Sequence, residues 1–223
     1  MMAEQLTFDL PAGVALTAGD FFVSGANATA YVLVTHVNSW PERKLVLTGP
    51  EGSGKSHLAR VFATNENAVI IPAANLTGDM TRPKQPVVIE DIEHLTKSGE
   101  TAMFHLHNHM REVGLPLLIT ARSAPSRWNI TLPDLASRMQ ATTPSVIGDP
   151  DDDLLTAIIM KLFADRQIMP SPKLPSFLAV RIERSFRAAA EIVAAMDAAA
   201  LTNKRDVNEK LAGQVLAQVE AEV

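Results

Sequence analysis

The feature that most constrains this sequence is the glycine-rich segment at residues 49–56, Gly-Pro-Glu-Gly-Ser-Gly-Lys-Ser. It matches the pattern G-x-x-x-x-G-K-[ST] in full; an apolar run at residues 44–48 precedes it, and a helical stretch begins near Lys55. In such a loop successive backbone N–H groups face one phosphate cluster, and the start of the helix adds positive partial charge. The segment therefore predicts a nucleotide-phosphate site in which Lys55 reaches the β- and γ-phosphates and Ser56 ligates Mg²⁺.

The whole loop and the residue after it are predicted to line this nucleotide site. These residues are Gly49, Pro50, Glu51, Gly52, Ser53, Gly54, Lys55, Ser56 and His57.

Two acidic residues follow the next strongly apolar run. Glu90 and Asp91 come directly after the β-branched residues 87–89. One carboxylate can hold Mg²⁺ and the other can orient the attacking water, although two solvated acids at a strand end would look the same. The usual order places Asp at the metal position, and Glu90 carries one more methylene, so the metal geometry and any hydrolysis stay open.

The pattern of apolar runs predicts an α/β fold with a doubly wound parallel sheet. Short apolar runs at 44–48, 69–71, 87–89 and 115–120 alternate with helical stretches such as 99–113. We expect a nucleotide-binding α/β core over residues 15–148.

After Ile147 only helical patterns remain. They predict a helical lid subdomain over 149–223, with Asp149 as the N-cap of its first helix and Pro150 in the first turn. Its helices are expected at about 150–166, 175–201 (broken once at most) and 206–220.

Composition excludes some classes of site. The 223 residues include no cysteine, so a disulfide framework and a cysteine-ligated metal are excluded. The net charge of −5 opposes tight, unspecific DNA binding, which needs a positive field. The start of the sequence lacks the pattern of a secretory signal, and no apolar run reaches membrane-spanning length, so a cytoplasmic protein is expected.

The histidines at 105, 107 and 109 suggest a metal site, but only two of them share a helix face, so we expect no metal site there.

With the segment LPDLASRM at residues 132–139, the phosphate loop and the acidic strand resemble the AAA+ ATPases. The likeness covers nearly the whole chain and is strongest to the replication initiator DnaA and its short homologue Hda. It implies a P-loop AAA+ fold that binds ADP or ATP with Mg²⁺. It also implies that Asn27 borders the adenine, that Thr120 is the polar residue of sensor 1, and that Arg187 on the lid is the sensor-2 arginine.

The same resemblance implies that Arg138 is an arginine finger that acts on a neighbour's nucleotide. From the residues alone, Arg138 could equally be a surface arginine at a helix end. Arg187 could equally pair with Glu183 or Glu191.

The front of the chain, residues 1–14, reads as an extended tail. Its segment QLTFDLP resembles the peptides that dock on the bacterial sliding clamp, with Gln5, Leu6, Phe8 and Leu10 as the contact residues. Large apolar side chains on a tail usually need a surface that receives them. The alternative is that Leu6, Phe8 and Leu10 pack on this protein's own core.

The resemblance thus implies a regulator that docks on the DNA-loaded clamp and stimulates ATP hydrolysis by DnaA, with little hydrolysis of its own. No basic recognition helix follows the lid before Val223, which predicts no sequence-specific DNA reading. Two alternatives stay open: a self-oligomerising ATPase that acts as a loader or remodeller in replication, with Arg138 serving an identical neighbour, and a non-enzymatic adaptor whose shape is locked by its nucleotide.

Overall fold

The computed structural model describes residues 16–17, 21–203 and 206–221. Its centre is a five-stranded sheet with strand order β4-β5-β6-β3-β7, and every neighbouring pair is parallel. The strands are β3 (Lys44–Thr48), β4 (Val69–Pro72), β5 (Val87–Glu90), β6 (Leu117–Ala121) and β7 (Pro144–Val146). A short antiparallel pair, β1 (Leu16–Thr17) and β2 (Phe21–Phe22), precedes them. The predicted doubly wound parallel sheet is confirmed.

Helices cover both faces of the sheet, which explains why its central strands are continuous apolar runs. Alternate residues of β3 enter different clusters: Leu45 and Leu47 pack with Phe62, whereas Val46 packs with Met103. The core helices are α1 (Ala28–Thr35), α2 (Lys55–Glu66), α3 (Lys97–Val113) and α4 (Pro133–Ala141).

The remaining helices form the lid around an apolar cluster of their own, which includes Ile159, Phe163 and Met196. They are α5 (Asp152–Asp165), α6 (Leu174–Ala179), α7 (Phe186–Asn203) and α8 (Glu209–Ala221). None of the described helices is long and apolar enough to cross a membrane.

The start of the lid corrects one prediction. Asp151, and not Asp149, is the N-cap of α5, because its carboxylate accepts the N–H of Leu154 at 2.8 Å. Pro150 therefore lies before the helix and not in its first turn. The turn before α7 is held against the start of α5, because Arg184 in this turn donates two hydrogen bonds of 2.9 Å to the carboxylate of Asp152.

A buried carboxylate holds the start of α4, the helix that carries Arg138. Glu100 on α3 is 5% exposed and accepts the N–H and the hydroxyl of Thr131 at 3.0 and 2.9 Å and the N–H of Leu132 at 2.7 Å. Burial alone would raise the pKa of Glu100, but these hydrogen bonds lower it below its usual value.

We expect Glu100→Ala to lower the free energy of unfolding by about 2 kcal/mol at neutral pH, because two backbone donors lose a charged acceptor. Since folding lowers the pKa of Glu100, its stabilisation is present above the usual carboxyl pKa and is lost as the pH falls through the lowered value. Urea unfolding at neutral and acidic pH measures both effects. Glu112→Ala, an exposed acid on the same helix, is the control, and an equal loss in both variants would contradict the assignment.

Candidate functional site

The phosphate loop joins β3 to α2 and closes tightly on its surroundings. Gly54 has a φ of +92°, and a Cβ there would come within 3.0 Å of the Phe21 ring. A Cβ on Gly49 would lie 2.8 Å from the Ser53 hydroxyl oxygen and 3.0 Å from the Ile147 carbonyl oxygen. Both positions therefore require glycine, which is why the motif could be identified from sequence.

Lys55 begins α2 and its ammonium group lies inside the loop. Nζ donates to the carbonyl oxygens of Gly49 at 2.8 Å and Pro50 at 2.7 Å, and the residue is 7% exposed. Burial lowers the pKa of Lys55, and the nearby Asp91 carboxylate acts in the opposite direction. The ammonium is thus held in place by carbonyl oxygens that phosphate oxygens can replace.

A cavity of about 330 Å³ opens over this loop, and we call it the phosphate cavity. It is lined by Glu51, Gly52, Ser53, Gly54, Lys55, Ser56, His57, Asp91 and Arg122. The buried hydroxyl of Ser53 has no hydrogen-bond partner within the described chain. Ser56 and Asp91 offer a hydroxyl and a carboxylate, the oxygen donors that Mg²⁺ accepts beside phosphate oxygens and water.

Of the two acids at the end of β5, Glu90 in the strand and Asp91 just beyond it, only Asp91 lines the phosphate cavity. Asp91 has a φ of +54°, and its N–H donates to the hydroxyl of Thr120 at 3.0 Å. Glu90 turns elsewhere, and its buried Oε1 has no hydrogen-bond partner among the described residues. The two carboxylates predicted to act together are therefore not brought into one cavity.

Thr120 does not line the phosphate cavity, but it contacts Asp91, which does. It is fully buried, and its hydroxyl accepts the N–H of Asp91, so it positions Asp91. The residue that sequence reasoning missed is Arg122, which lines the phosphate cavity and lies 3.1 Å from the Glu51 carboxylate. Its position just beyond β6, at the sheet edge where the phosphate loop begins, is the signal that could have identified it.

A larger cavity of about 450 Å³ lies between core and lid beside the loop, and its size suits a nucleoside. Phe21, Ile158 and Phe186 give it apolar walls, and the Phe21 and His57 rings meet edge to face at 5.2 Å. Asn27 also lines it. The Asn27 amide group donates to the Phe22 carbonyl at 2.9 Å and accepts the Ser24 N–H at 2.9 Å, so it shapes the entry to this cavity.

Arg187 is not brought to either cavity. It lies in the first turn of α7, where its side chain is 77% exposed and its guanidinium is 3.8 Å from the Glu191 carboxylate. Its neighbour Phe186 instead faces the loop, since a Cβ on Gly52 would lie 3.1 Å from the Phe186 Cβ.

Arg138 lies in the last turn of α4. Its guanidinium carbon is 5.0 Å from the centre of the Phe104 ring, and it makes no salt bridge with any carboxylate in the described part of the chain. It lines a cavity of about 270 Å³, here the basal cavity, together with Glu42, Lys44, His107 and Arg111.

The basal cavity and the phosphate cavity lie at opposite ends of β3. Lys44 is the first residue of this strand, and the phosphate loop follows Thr48, its last. At ~3.3 Å per residue the strand alone separates the two ends by about 13 Å.

The structure places the histidines of the HLHNHM segment in different surroundings. His107 is buried beside the basal cavity, whereas His109 contacts the Pro83 carbonyl at 3.0 Å. Within the described ranges, no group of three or more His, Asp or Glu side chains could hold a metal ion.

No family model matches the chain. It is 23% identical to the chromosomal replication initiator protein DnaA of Cutibacterium acnes, over 90% of this chain and 45% of that protein. It is 25% identical to a Haemophilus influenzae protein described only as uncharacterized, over 75% of this chain and 79% of that protein. The chain thus spans less than half the length of the DnaA relative.

Among solved structures, domain III of Thermotoga maritima DnaA superposes with a TM-score of 0.71 at 20% identity, over 89% of this chain and 94% of that one. AMPPCP-bound DnaA from Aquifex aeolicus gives 0.64 at 14% identity, over 79% and 63%. The Holliday junction branch migration motor RuvB of Thermotoga maritima gives 0.56 at 18% identity, over 78% and 61%. The chain therefore has the fold of domain III of DnaA.

Proposed function

We propose that this chain is a regulator of replication initiation that binds an adenine nucleotide at the Lys55 loop and presents Arg138 to the nucleotide of DnaA. The observation that carries this proposal is the position of Arg138, at the end of the sheet opposite to the chain's own phosphate cavity and without a carboxylate partner among the described residues. A guanidinium in that place serves a nucleotide only if another molecule brings it there.

Adenine nucleotide binding is supported by the AMPPCP-bound DnaA structures that share the fold and by the two adjoining cavities. Lys55 would hold the β- and γ-phosphates, and Ser56 and Asp91 would hold Mg²⁺, which neutralises phosphate charge when bound. Arg122 would exchange Glu51 for a phosphate oxygen. Because Glu90 does not line the cavity, Asp91 is the one acid of the pair left both to bind Mg²⁺ and to orient the attacking water. This favours slow hydrolysis of ATP by the chain itself.

The action on the partner follows from the charge of the transition state. Negative charge spreads over the oxygens of the transferred phosphoryl group, and a guanidinium fork matches it. Arg138 rests on the face of Phe104, a contact that leaves its hydrogen-bond donors free. An arginine supplied by a neighbour raises the rate by about 10³ to 10⁵.

The proposed clamp contacts at Gln5, Leu6, Phe8 and Leu10 lie outside the described residues. Their support is the resemblance of QLTFDLP to clamp-docking peptides. Tethering to a DNA-loaded clamp would raise the local concentration of Arg138 near DnaA.

The test is a single-turnover assay of ATP bound to DnaA, with the ADP-loaded chain added in the presence of clamp-loaded DNA. We expect faster hydrolysis, and we expect the double variant Gln5→Ala, Phe8→Ala to need about 100-fold more protein for the same rate, since the tail supplies only local concentration. At saturation the two proteins should be equal. If the chain alone hydrolyses ATP with a rate per molecule that rises with its concentration, while DnaA is unaffected, the self-oligomerising ATPase replaces this proposal.

A further inference from the structure

The basal cavity concentrates positive charge around a space of about 270 Å³. Lys44, Arg111 and Arg138 line it, and Glu42 is the one acid among the lining residues. The side chain of Lys44 is only 2% exposed, and its carboxylate partner, Glu42 at 3.2 Å, is 59% exposed. A buried ammonium group needs a close anion, and the one that the described residues supply is exposed, so water can reach and loosen it.

A second group on the wall, the His107 ring, has one nitrogen without a partner among the described residues. His107 is 3% exposed, and its Nδ1 has no hydrogen-bond partner in the described chain. Burial, reinforced by the charges on Lys44 and Arg138, lowers the pKa of His107 to about 4, so its ring is neutral at physiological pH. A neutral ring can still donate one N–H, and an unsatisfied buried nitrogen beside a cavity is a group that an ordered water or ion can satisfy.

The backbone that holds Glu42 over Lys44 is strained. Glu42 and Arg43 are consecutive non-glycine residues with φ values of 49° and 56°. Two left-handed residues in a row persist only where the surroundings enforce them, and such strain collects at functional sites. The turn places a carboxylate where the three cations would otherwise face an empty cavity.

We propose that the basal cavity is a binding site for a phosphate-type oxyanion. Lys44, Arg111 and Arg138 supply the charge, Nδ1 of His107 donates a hydrogen bond, and the Glu42 carboxylate occupies the site until the ligand displaces it. In the complex with DnaA the oxyanion is the terminal phosphate of the partner's nucleotide, and this clause alone rests on the proposed function. Free inorganic phosphate is the alternative ligand with the same chemistry.

The first arm of the test uses inorganic phosphate and the full chain saturated with ADP, so that the phosphate loop is already filled. The imidazole resonance of His107, identified by its loss in His107→Gln, is followed by NMR while phosphate replaces chloride at constant ionic strength. We expect a saturable shift of His107 and none of the exposed His94. The absence of a saturable shift overturns the site.

Two variants identify the cations and the displaced anion. Arg111→Gln removes an exposed arginine and should weaken phosphate binding by about tenfold, as loss of one charge-assisted hydrogen bond does. Arg127→Gln, an exposed arginine outside the cavity, should leave it unchanged. Glu42→Gln should strengthen phosphate binding, because it removes the carboxylate that phosphate must displace. Equal affinity in Arg111→Gln and Arg127→Gln contradicts the assignment of Arg111.

The second arm identifies the source of the phosphate, with stimulation of DnaA as the readout. If Arg111→Gln loses about tenfold of the stimulation and Arg127→Gln loses none, the partner's nucleotide is the ligand. The His107 resonance could shift with phosphate while Arg111→Gln still stimulates DnaA fully. That result would support the anion site but exclude the partner's nucleotide as its ligand. The proposed function fails on different results, namely when the chain does not stimulate DnaA or when Arg138→Ala stimulates it fully, so the two failures are distinguishable.

Discussion

Replacing Arg138 by Ala should reduce stimulation of ATP hydrolysis by DnaA by a factor of about 10³ or more, while the chain keeps its own nucleotide. The reason is geometric: Arg138 lines the basal cavity, and the phosphate cavity lies beyond the other end of β3. The measurement is single-turnover hydrolysis of DnaA-bound ATP, with the ADP affinity of each variant measured in parallel.

The matched control is Arg127→Ala. It removes an exposed arginine that precedes α4 and lines none of the three cavities described. Full stimulation by this control and by Arg138→Ala alike would remove Arg138 from the mechanism. Loss of stimulation together with loss of ADP binding would mean instead that Arg138 supports the fold.

Replacing Lys55 by Ala should have the complementary effect. Binding of ADP and ATP should weaken by about 100-fold or more, because two charge-assisted contacts to phosphate are lost. The Lys55 ammonium already lies between the carbonyl oxygens of Gly49 and Pro50 at 2.8 and 2.7 Å, where a phosphate group would sit.

Fluorescent-nucleotide titration measures this affinity, and thermal unfolding checks that the variant is folded. Lys97→Ala, which removes an exposed lysine at the start of α3, should bind like the unaltered chain. A folded Lys55→Ala protein that binds ADP at the original affinity would show that the loop is not the nucleotide site.

Local patterns predicted much of this structure correctly. The phosphate loop could be identified because its tight turn depends on residues close in sequence, such as Gly54 beneath Phe21. The central strand was placed at Lys44–Thr48 because both of its faces are buried, which makes every residue but the first and last apolar. Helix α3 followed from the spacing of Met103, Leu106 and Met110.

Features that depend on distant contacts could not be predicted in this way. Strand β7 is only three residues long, with Ser145 buried between exposed neighbours, and it exists because it pairs with β3. That pairing is set by packing across the fold, which a single sequence does not display. The N-cap of α5 is a local feature, but the sequence offers two aspartates close together, and the structure uses Asp151, whose carboxylate accepts the N–H of Leu154, where Asp149 was predicted.

In the candidate site, too, some positions follow from local sequence patterns and others from contacts between distant residues. Residues 51–57 of the loop and Asp91 line one cavity, whereas the predicted site residues Gly49, Pro50, Glu90 and Arg187 do not line it. Arg122 reaches the phosphate cavity because β6 and β3 are neighbours in the sheet, a pairing that follows from the topology and not from spacing.

The most direct test of the central claim is photo-cross-linking from the terminal phosphate of a nucleotide bound to DnaA. DnaA is loaded with an ATP analogue that carries a photoreactive group on its γ-phosphate, mixed with the ADP-loaded chain on clamp-loaded DNA, and irradiated. Mass spectrometry should find the label on this chain in the peptide that spans Pro133–Ala141, which contains Arg138. Label confined to DnaA, or label in this chain's own residues 49–56, would contradict the claim that Arg138 acts on another molecule's nucleotide.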